Sequence, residues 1–139
     1  MNTNEIMITG FDYGRIMSMI DRLRNTFSKE QKENADRLVM ELKRAQRVDS
    51  YDIPHDCVTM NSSFEIKEVD ESETRTLTLV FPEKANIEEN RVSILSPVGT
   101  AVLGYRVGNV IHWKVPAGVK KFIITRIIYQ PEAAGDYQL

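Results

Sequence analysis

Cysteine occurs once in the 139 residues, at Cys57. A single thiol excludes an intrachain disulfide and a thiolate-built zinc site, and it fits a reducing compartment. An excess of basic charge is missing as well: 18 Lys and Arg stand against 20 Asp and Glu, a net charge of −2 with a pI of about 5.7. A chain that holds nucleic-acid phosphates carries a basic stripe, because each phosphate calls for a Lys or Arg counter-charge. Direct sequence-specific nucleic-acid binding is therefore not expected. Long apolar runs are absent too. Phe122-Ile123-Ile124 is far shorter than the ~20 residues that span a bilayer. Met1-Asn2-Thr3-Asn4-Glu5 lacks the basic flank and apolar core of a signal peptide. These absences lead to the expectation of a cytoplasmic chain with no membrane contact and no cofactor or metal. What remains is an ordinary globular balance, 42% hydrophobic and 27% charged.

Two regions differ in period. From about Asp12 to Arg47 apolar residues recur at helical spacing. Ile16, Ile20, Leu23 and Phe27 step by four, three and four, while Ala35, Leu38, Leu42 and Ala45 step by three, four and three. Each set predicts a narrow seam along one helix, as in a two-helix coiled coil. Asp12 is the expected N-cap of the first helix, and Ser28 with Gln31 reads as a capping box opening the second. The short break at Asn25–Ser28 predicts antiparallel neighbours. Glu33, Arg37 and Glu41 follow at four-residue steps on a solvated face. Two helices of about 14 residues give a finger about 20 Å long at 1.5 Å per residue. So short a finger lacks a core of its own, and Met17 and Met19 are expected to pack on the rest of the chain. Leu38→Lys or Leu42→Lys is expected to loosen the finger and leave the sheet folded.

After residue 50 the period becomes two. Phe64 and Ile66 alternate with Glu65 and Lys67; Leu77, Leu79 and Phe81 with Thr76, Thr78 and Val80; Ile111, Trp113 and Val115 with Val110, His112 and Lys114. Phe122–Tyr129 is apolar at both parities and predicts a central strand. Asp70-Glu71-Ser72-Glu73, Pro82-Glu83, Gly108-Asn109 and Pro116-Ala117-Gly118 supply turns. From Ser96 to Gly104 the pattern changes to Ser-Pro, small residues and a final glycine, a short helix with a glycine stop. The expected architecture is α+β: an antiparallel helical hairpin over residues 1–50 and a bent antiparallel sheet with one short helix over residues 51–139.

The residues Ser96-Pro97-Val98-Gly99, Ala101, Leu103-Gly104 and Arg106-Val107-Gly108 resemble the C-terminal domain of the Gre transcript-cleavage factors, which has an FKBP-like fold. The strand pair around Pro116-Ala117-Gly118 extends the match. Family members usually place two glycines in that turn; with Ala117 here, Gly118 alone can supply a positive φ. The segments Pro54-His55-Asp56-Cys57-Val58-Thr59-Met60-Asn61-Ser62 and Tyr129-Gln130-Pro131-Glu132-Ala133-Ala134-Gly135-Asp136-Tyr137 resemble the Rnk branch, the regulators of nucleoside diphosphate kinase. With the short hairpin, the resemblance covers nearly the whole chain.

The resemblance implies a protein partner, bacterial RNA polymerase. Gre-type factors hold the rim of its secondary channel with the C-terminal domain and push a long coiled coil toward the catalytic magnesium. Acidic residues at the coil tip help the polymerase cut backtracked RNA. The Rnk branch keeps the docking domain and carries a shorter finger. The expected polymerase-docking residues are Leu95, Ser96, Pro97 and Val98, with Leu95 standing where Gre members commonly have a small polar residue. The implied role is a non-enzymatic regulator that competes with Gre-type factors and does not itself stimulate cleavage; the sequence does not set its oligomeric state, and a monomer is favoured.

Other readings stand beside this one. Ser96-Pro97 is also an ordinary helix start. Glu30 and Glu33, with Asp36, could act as a cleavage-stimulating finger tip, or simply complement the helix dipole among Lys29 and Lys32. His55-Asp56 suggests a general base, yet neighbours in an extended segment point to opposite faces. A hinge stiffened by Pro54 is the reading preferred there, and Cys57 lacks the basic surroundings of a reactive thiol. An FKBP-like fold raises a peptidyl-prolyl isomerase, though fold does not carry function and few aromatics are available to line its pocket. Trp113 reads as packing rather than a base-stacking platform. The tail from Pro131 to Leu139 is expected to fold back, with Tyr137 and Leu139 over an open sheet edge.

Overall fold

A computed structural model describes residues 5–115 and 117–139, without the side chains of residues 113–115. The packing of Trp113 and the conformation of Pro116 therefore lie outside the described residues. The chain begins with a short strand β1 (Met7–Thr9), then α1 (Gly10–Leu23), a 3-10 turn at Arg24–Thr26, α2 (Lys29–Arg44) and β2 (Gln46–Val48). Strands β1 and β2 pair in parallel and close the base of the hairpin. Ser28 opens α2 through the expected capping box, accepting from the Gln31 N–H while Gln31 accepts from the Ser28 N–H. The first helix starts differently from expectation. Thr9 is its N-cap, with Oγ1 accepting from the Asp12 N–H at 3.0 Å, and Asp12 lies one turn inside. Its carboxylate is thereby free to reach elsewhere.

The larger sheet holds β3 (Ser63–Glu68), β4 (Thr74–Val80), β5 (Arg91–Ser93), β6 (Val110–Val115) and β7 (Gly118–Tyr129) in the order β5-β4-β3-β7-β6. All neighbours are antiparallel except β5, which returns parallel to β4 after two 3-10 turns between Pro82 and Glu89. Register shifts at Ser63/Phe64 and Glu65/Ile66 mark bulges that bend the β3–β7 pair. Gly118 takes the positive φ, +135°. Strand β7 is interior, as its sequence predicts, but only one of its faces is covered. Phe122 and Ile124 are buried, whereas Val119 and Ile128 are exposed, because the helices pack on one side of the sheet alone. A short α3 (Pro97–Val102) lies against the covered face, and α4 (Pro131–Ala134) follows β7.

Hairpin and sheet share one apolar cluster. Ile16, Met19, Ile20, Leu38 and Leu42 are buried with Phe64, Ile66, Leu79, Ile94 and Ile124. Met17 packs partly buried against it. The helical seams thus face the sheet as well as each other. This changes the expectation for Leu38: its burial is not local to the finger. Leu38→Ala is expected to cost about 3 kcal/mol and to shift a single unfolding transition, with helix and sheet signals melting together. Two separate transitions in circular dichroism and tryptophan fluorescence would contradict the shared core.

Residues 54–62 and the tail complete the packing. The Gln130 side-chain amide donates to the Pro54 and Cys57 carbonyls, both at 2.8 Å. The Val58 N–H donates to the Tyr105 carbonyl, and the Gly104 N–H to the Val58 carbonyl, both at 2.9 Å. A segment fastened from both sides is not a hinge, and Val58 and Met60 are fully buried. The tail folds back onto α1 and residues 51–60 rather than over a sheet edge. Tyr137 stacks on Tyr51 at 4.5 Å between ring centroids, and Leu139 offers its backbone oxygen to Arg15 at 2.9 Å.

Candidate docking surface

The Ser-Pro segment is built as a cap. Strand β5 ends at Ser93, and Ser96 then adopts extended backbone and opens α3, its hydroxyl accepting from the Gly99 N–H at 3.1 Å. The same hydroxyl donates to the Ser93 carbonyl at 2.7 Å, so its donor is used within the segment. Pro97 occupies the first helical turn, where a missing N–H costs nothing. The Leu95 N–H donates to the Ser93 hydroxyl at 3.0 Å, and the Thr100 hydroxyl to the Ile94 carbonyl at 2.8 Å. Leu95 itself is only 3% exposed and joins the core, while Ser96, Pro97 and Val98 remain half-buried at the surface. The accessible part of the segment is therefore Ser96-Pro97-Val98, and Leu95 supports it from beneath.

Glu30 and Glu33 are exposed on the first turns of α2, each next to an exposed lysine, Lys29 and Lys32. No ion pair joins Arg37 to Glu41; Glu41 instead pairs with Arg44 at 2.7 Å. One turn beyond Glu30, Asn34 is buried and its side-chain amide donates to the Leu95 carbonyl at 2.8 Å. Sequence reasoning passed over this contact. Its one signal was a polar residue four positions before Leu38 on the buried stripe.

The other candidate residues are brought together as structure rather than as a reactive group. His55 is exposed, and Asp56 pairs with Arg106 at 2.8 and 3.2 Å instead of with its neighbour. Cys57 is fully buried with its thiol toward the Gly104 carbonyl at 3.4 Å. Burial, reinforced by the Asp56 charge, pushes that thiol up to about 12, the opposite of what nucleophilic work requires. The sequence also gave no sign of a buried polar knot at the junction of α1, residues 59–62 and α4. Asp12 is completely buried, accepting from Arg15 Nη2 at 2.6 Å and from the Met60 N–H at 3.0 Å. Glu132, 7% exposed, accepts from the Thr59 hydroxyl at 2.8 Å, and Thr59 lies 2.7 Å from the Ser62 hydroxyl. The Arg15 guanidinium sits over the rings of Phe11 and Phe81 at 4.0 and 5.0 Å.

The two halves match two descriptions. Residues 53–129 fit the family described as transcription elongation factor GreA/GreB, C-terminal, and residues 4–48 fit the Rnk N-terminus. The chain belongs to the Rnk branch of the GreA/GreB family. It is 46% identical over 106 residues to the regulator of nucleoside diphosphate kinase of Escherichia coli K12, covering 76% of this chain and 78% of that one. The transcription elongation factor GreA of Clostridium novyi is 38% identical over 86 residues, 62% of this chain and 54% of the factor. The chain thus spans about half the length of that GreA. Among solved structures, a prokaryotic transcription elongation factor GreA/GreB from Nitrosomonas europaea superposes with a TM-score of 0.73 at 36% identity, covering 90% of this chain and all of the other. This Rnk-branch chain is accordingly a Gre-related regulator, with a Gre-type sheet domain behind a short helical hairpin. Among the described residues no helix is long and apolar enough to cross a membrane.

Proposed function

We propose that the chain is a non-enzymatic transcription regulator that docks on bacterial RNA polymerase near the secondary channel and competes there with Gre-type factors. The observation that supports this reading is the Ser96-Pro97-Val98 segment, capped by Ser96 and partly exposed on a Gre-type domain. Residues 51–139 supply the affinity, and the hairpin of residues 1–50 occludes the channel mouth. Helices of 14 and 16 residues reach only about 21–24 Å at 1.5 Å per residue. Their buried seams are spent on the sheet, so Glu30 and Glu33 stay close to the docking domain and do not stimulate cleavage.

The test is association of the purified chain with purified RNA polymerase by interferometry, followed by competition with a Gre factor. Micromolar or tighter binding that a Gre factor displaces is the expected result; no association at that concentration sinks the proposal. Pro97→Glu is expected to weaken binding about tenfold or more, since a desolvated, unmatched charge costs on the order of 1–3 kcal/mol. An acid in the first turn complements the helix dipole, so α3 survives the change. A cleavage role makes the opposite forecast. Stoichiometric addition to arrested elongation complexes would shorten the transcript, and Glu30→Ala with Glu33→Ala would abolish the effect.

A further inference from the structure

Position 34 lies on the buried stripe of α2, four residues before Leu38 and next to Ala35. An apolar side chain there would add burial, whereas asparagine is a poor helix former that brings a polar amide into the core. What the amide does in return is donate at 2.8 Å to the Leu95 carbonyl, 61 residues away, directly before Ser96-Pro97. The segment's other side-chain fastenings come from within it, and its backbone is tied to β4 by the Ile94 N–H, which donates to the Val80 carbonyl at 2.9 Å. Ser93, Ser96 and Thr100 tie Leu95, Gly99 and Ile94 to one another, and those bonds move with the segment. Among the described residues the Asn34 bond is the side-chain hydrogen bond that ties it to the hairpin. A lone buried asparagine in a helical seam is a known way to fix register at some expense of stability, because only one alignment satisfies it.

From this placement we infer that Asn34 is a positioning residue: it fixes the Ser96-Pro97-Val98 docking segment relative to the finger, so that dock and finger meet the partner as one rigid unit. The inference rests on the polymerase-docking reading, and it deepens that reading by naming what sets the geometry of the dock. Apolar packing alone tolerates small slips of α2 along the core. The Asn34 amide does not, since displacement leaves the Leu95 carbonyl buried and unpaired. Any force on the finger is thereby felt at the dock.

The test begins on the free protein. Amide hydrogen exchange is measured at Ser96, Gly99 and Thr100, with Ile66 and Ile124 as internal references, for wild type, Asn34→Leu and Asn34→Gln. Leucine is close to asparagine in size and cannot donate; glutamine can. The expected result is exchange about tenfold or more faster in the segment for Leu, unchanged reference amides, and partial recovery with Gln. RNA polymerase affinity follows the same order, with a loss of about fivefold to tenfold for Leu. If Leu shifts segment and reference amides alike, Asn34 serves only global stability and the inference falls. It falls equally if exchange is unaltered or if Leu binds polymerase as tightly as wild type. Should wild type itself not bind, the docking reading fails, while the exchange data still decide whether Asn34 holds the segment.

Discussion

Gly99→Ala is expected to cost more than about 4 kcal/mol, the range in which a single change can be traced to one severe clash. A Cβ built on Gly99 would stand 2.1 Å from the Ser93 carbonyl oxygen and 2.9 Å from its carbon. Both atoms are backbone, so no side-chain rotation can relieve the contact. The crowding arises where Ser96 caps α3: its hydroxyl bonds the Ser93 carbonyl and the Gly99 N–H together, which draws the two backbones into a space with room for hydrogen only. Relief requires β5 and α3 to separate, and that separation opens the buried Ile94 and Val102. At about 4 °C per kcal/mol for a chain of this size, the unfolding midpoint should fall by roughly 15 °C or more. Ser96→Ala is the control. It removes one cap, costs about 1 kcal/mol, and introduces no clash. A Gly99→Ala protein that melts within a few degrees of wild type would show that β5 and α3 are not as closely apposed as described.

The contrast between the Gly99 and Ser96 effects also explains which parts of the molecule were legible in the sequence. Ser28 with Gln31 and Ser96 with Pro97 are local devices, satisfied within three residues, and sequence reasoning read both. Phe64 and Ile66 declared their strand by alternation, and both are buried. The strands Met7–Thr9 and Gln46–Val48 are three residues each, too short to show a period. Phe122–Tyr129 is apolar at both parities and suggested a central strand, yet what covers a face is decided by other elements, and here Ile128 stays 47% exposed. Asp12 was misread for the same reason. An acid near a helix start usually caps, but Thr9 takes that role and Met60, 48 residues on, takes the carboxylate. The expected docking residues were named from the family resemblance, and of them only the Ser96-Pro97 helix start could be read from local chemistry. The burial of Leu95 and its tie to Asn34 could not, since both depend on where α2 lies.

The polar knot at Asp12 carries the second large effect. Asp12→Ala is expected to cost about 4 kcal/mol, the scale of breaking a buried ion pair by removing one partner. The change strips Arg15 of its 2.6 Å contact and leaves the Met60 N–H unpaired in the interior. Because Arg15 also holds the Leu139 backbone oxygen, the tail should become more open to proteolysis in this variant. Glu132 behaves differently. Burial raises its carboxyl and the Asp12 charge raises it further, while the Thr59 hydroxyl lowers it. Burial is likewise the main cause that raises Asp12, against the lowering effects of Arg15 and the Met60 N–H. A folded-state pKa above the unfolded one means that the folded protein binds the proton more tightly. The stabilisation from protonation is therefore complete below the ordinary carboxyl range of about 4 and is lost as pH rises through the raised values. Glu132→Gln keeps an acceptor for Thr59 and removes a charge that repels Asp12. It should leave stability at pH 7 unchanged or raised by up to about 1 kcal/mol, and flatten the decline above the ordinary carboxyl range. Urea midpoints for both variants across that decline check the pair. An Asp12→Ala protein as stable as wild type would mean that the Asp12 contacts to Arg15 and Met60 do not hold this junction, and a Glu132→Gln protein with an unaltered pH slope would mean that burial does not raise the Glu132 carboxyl.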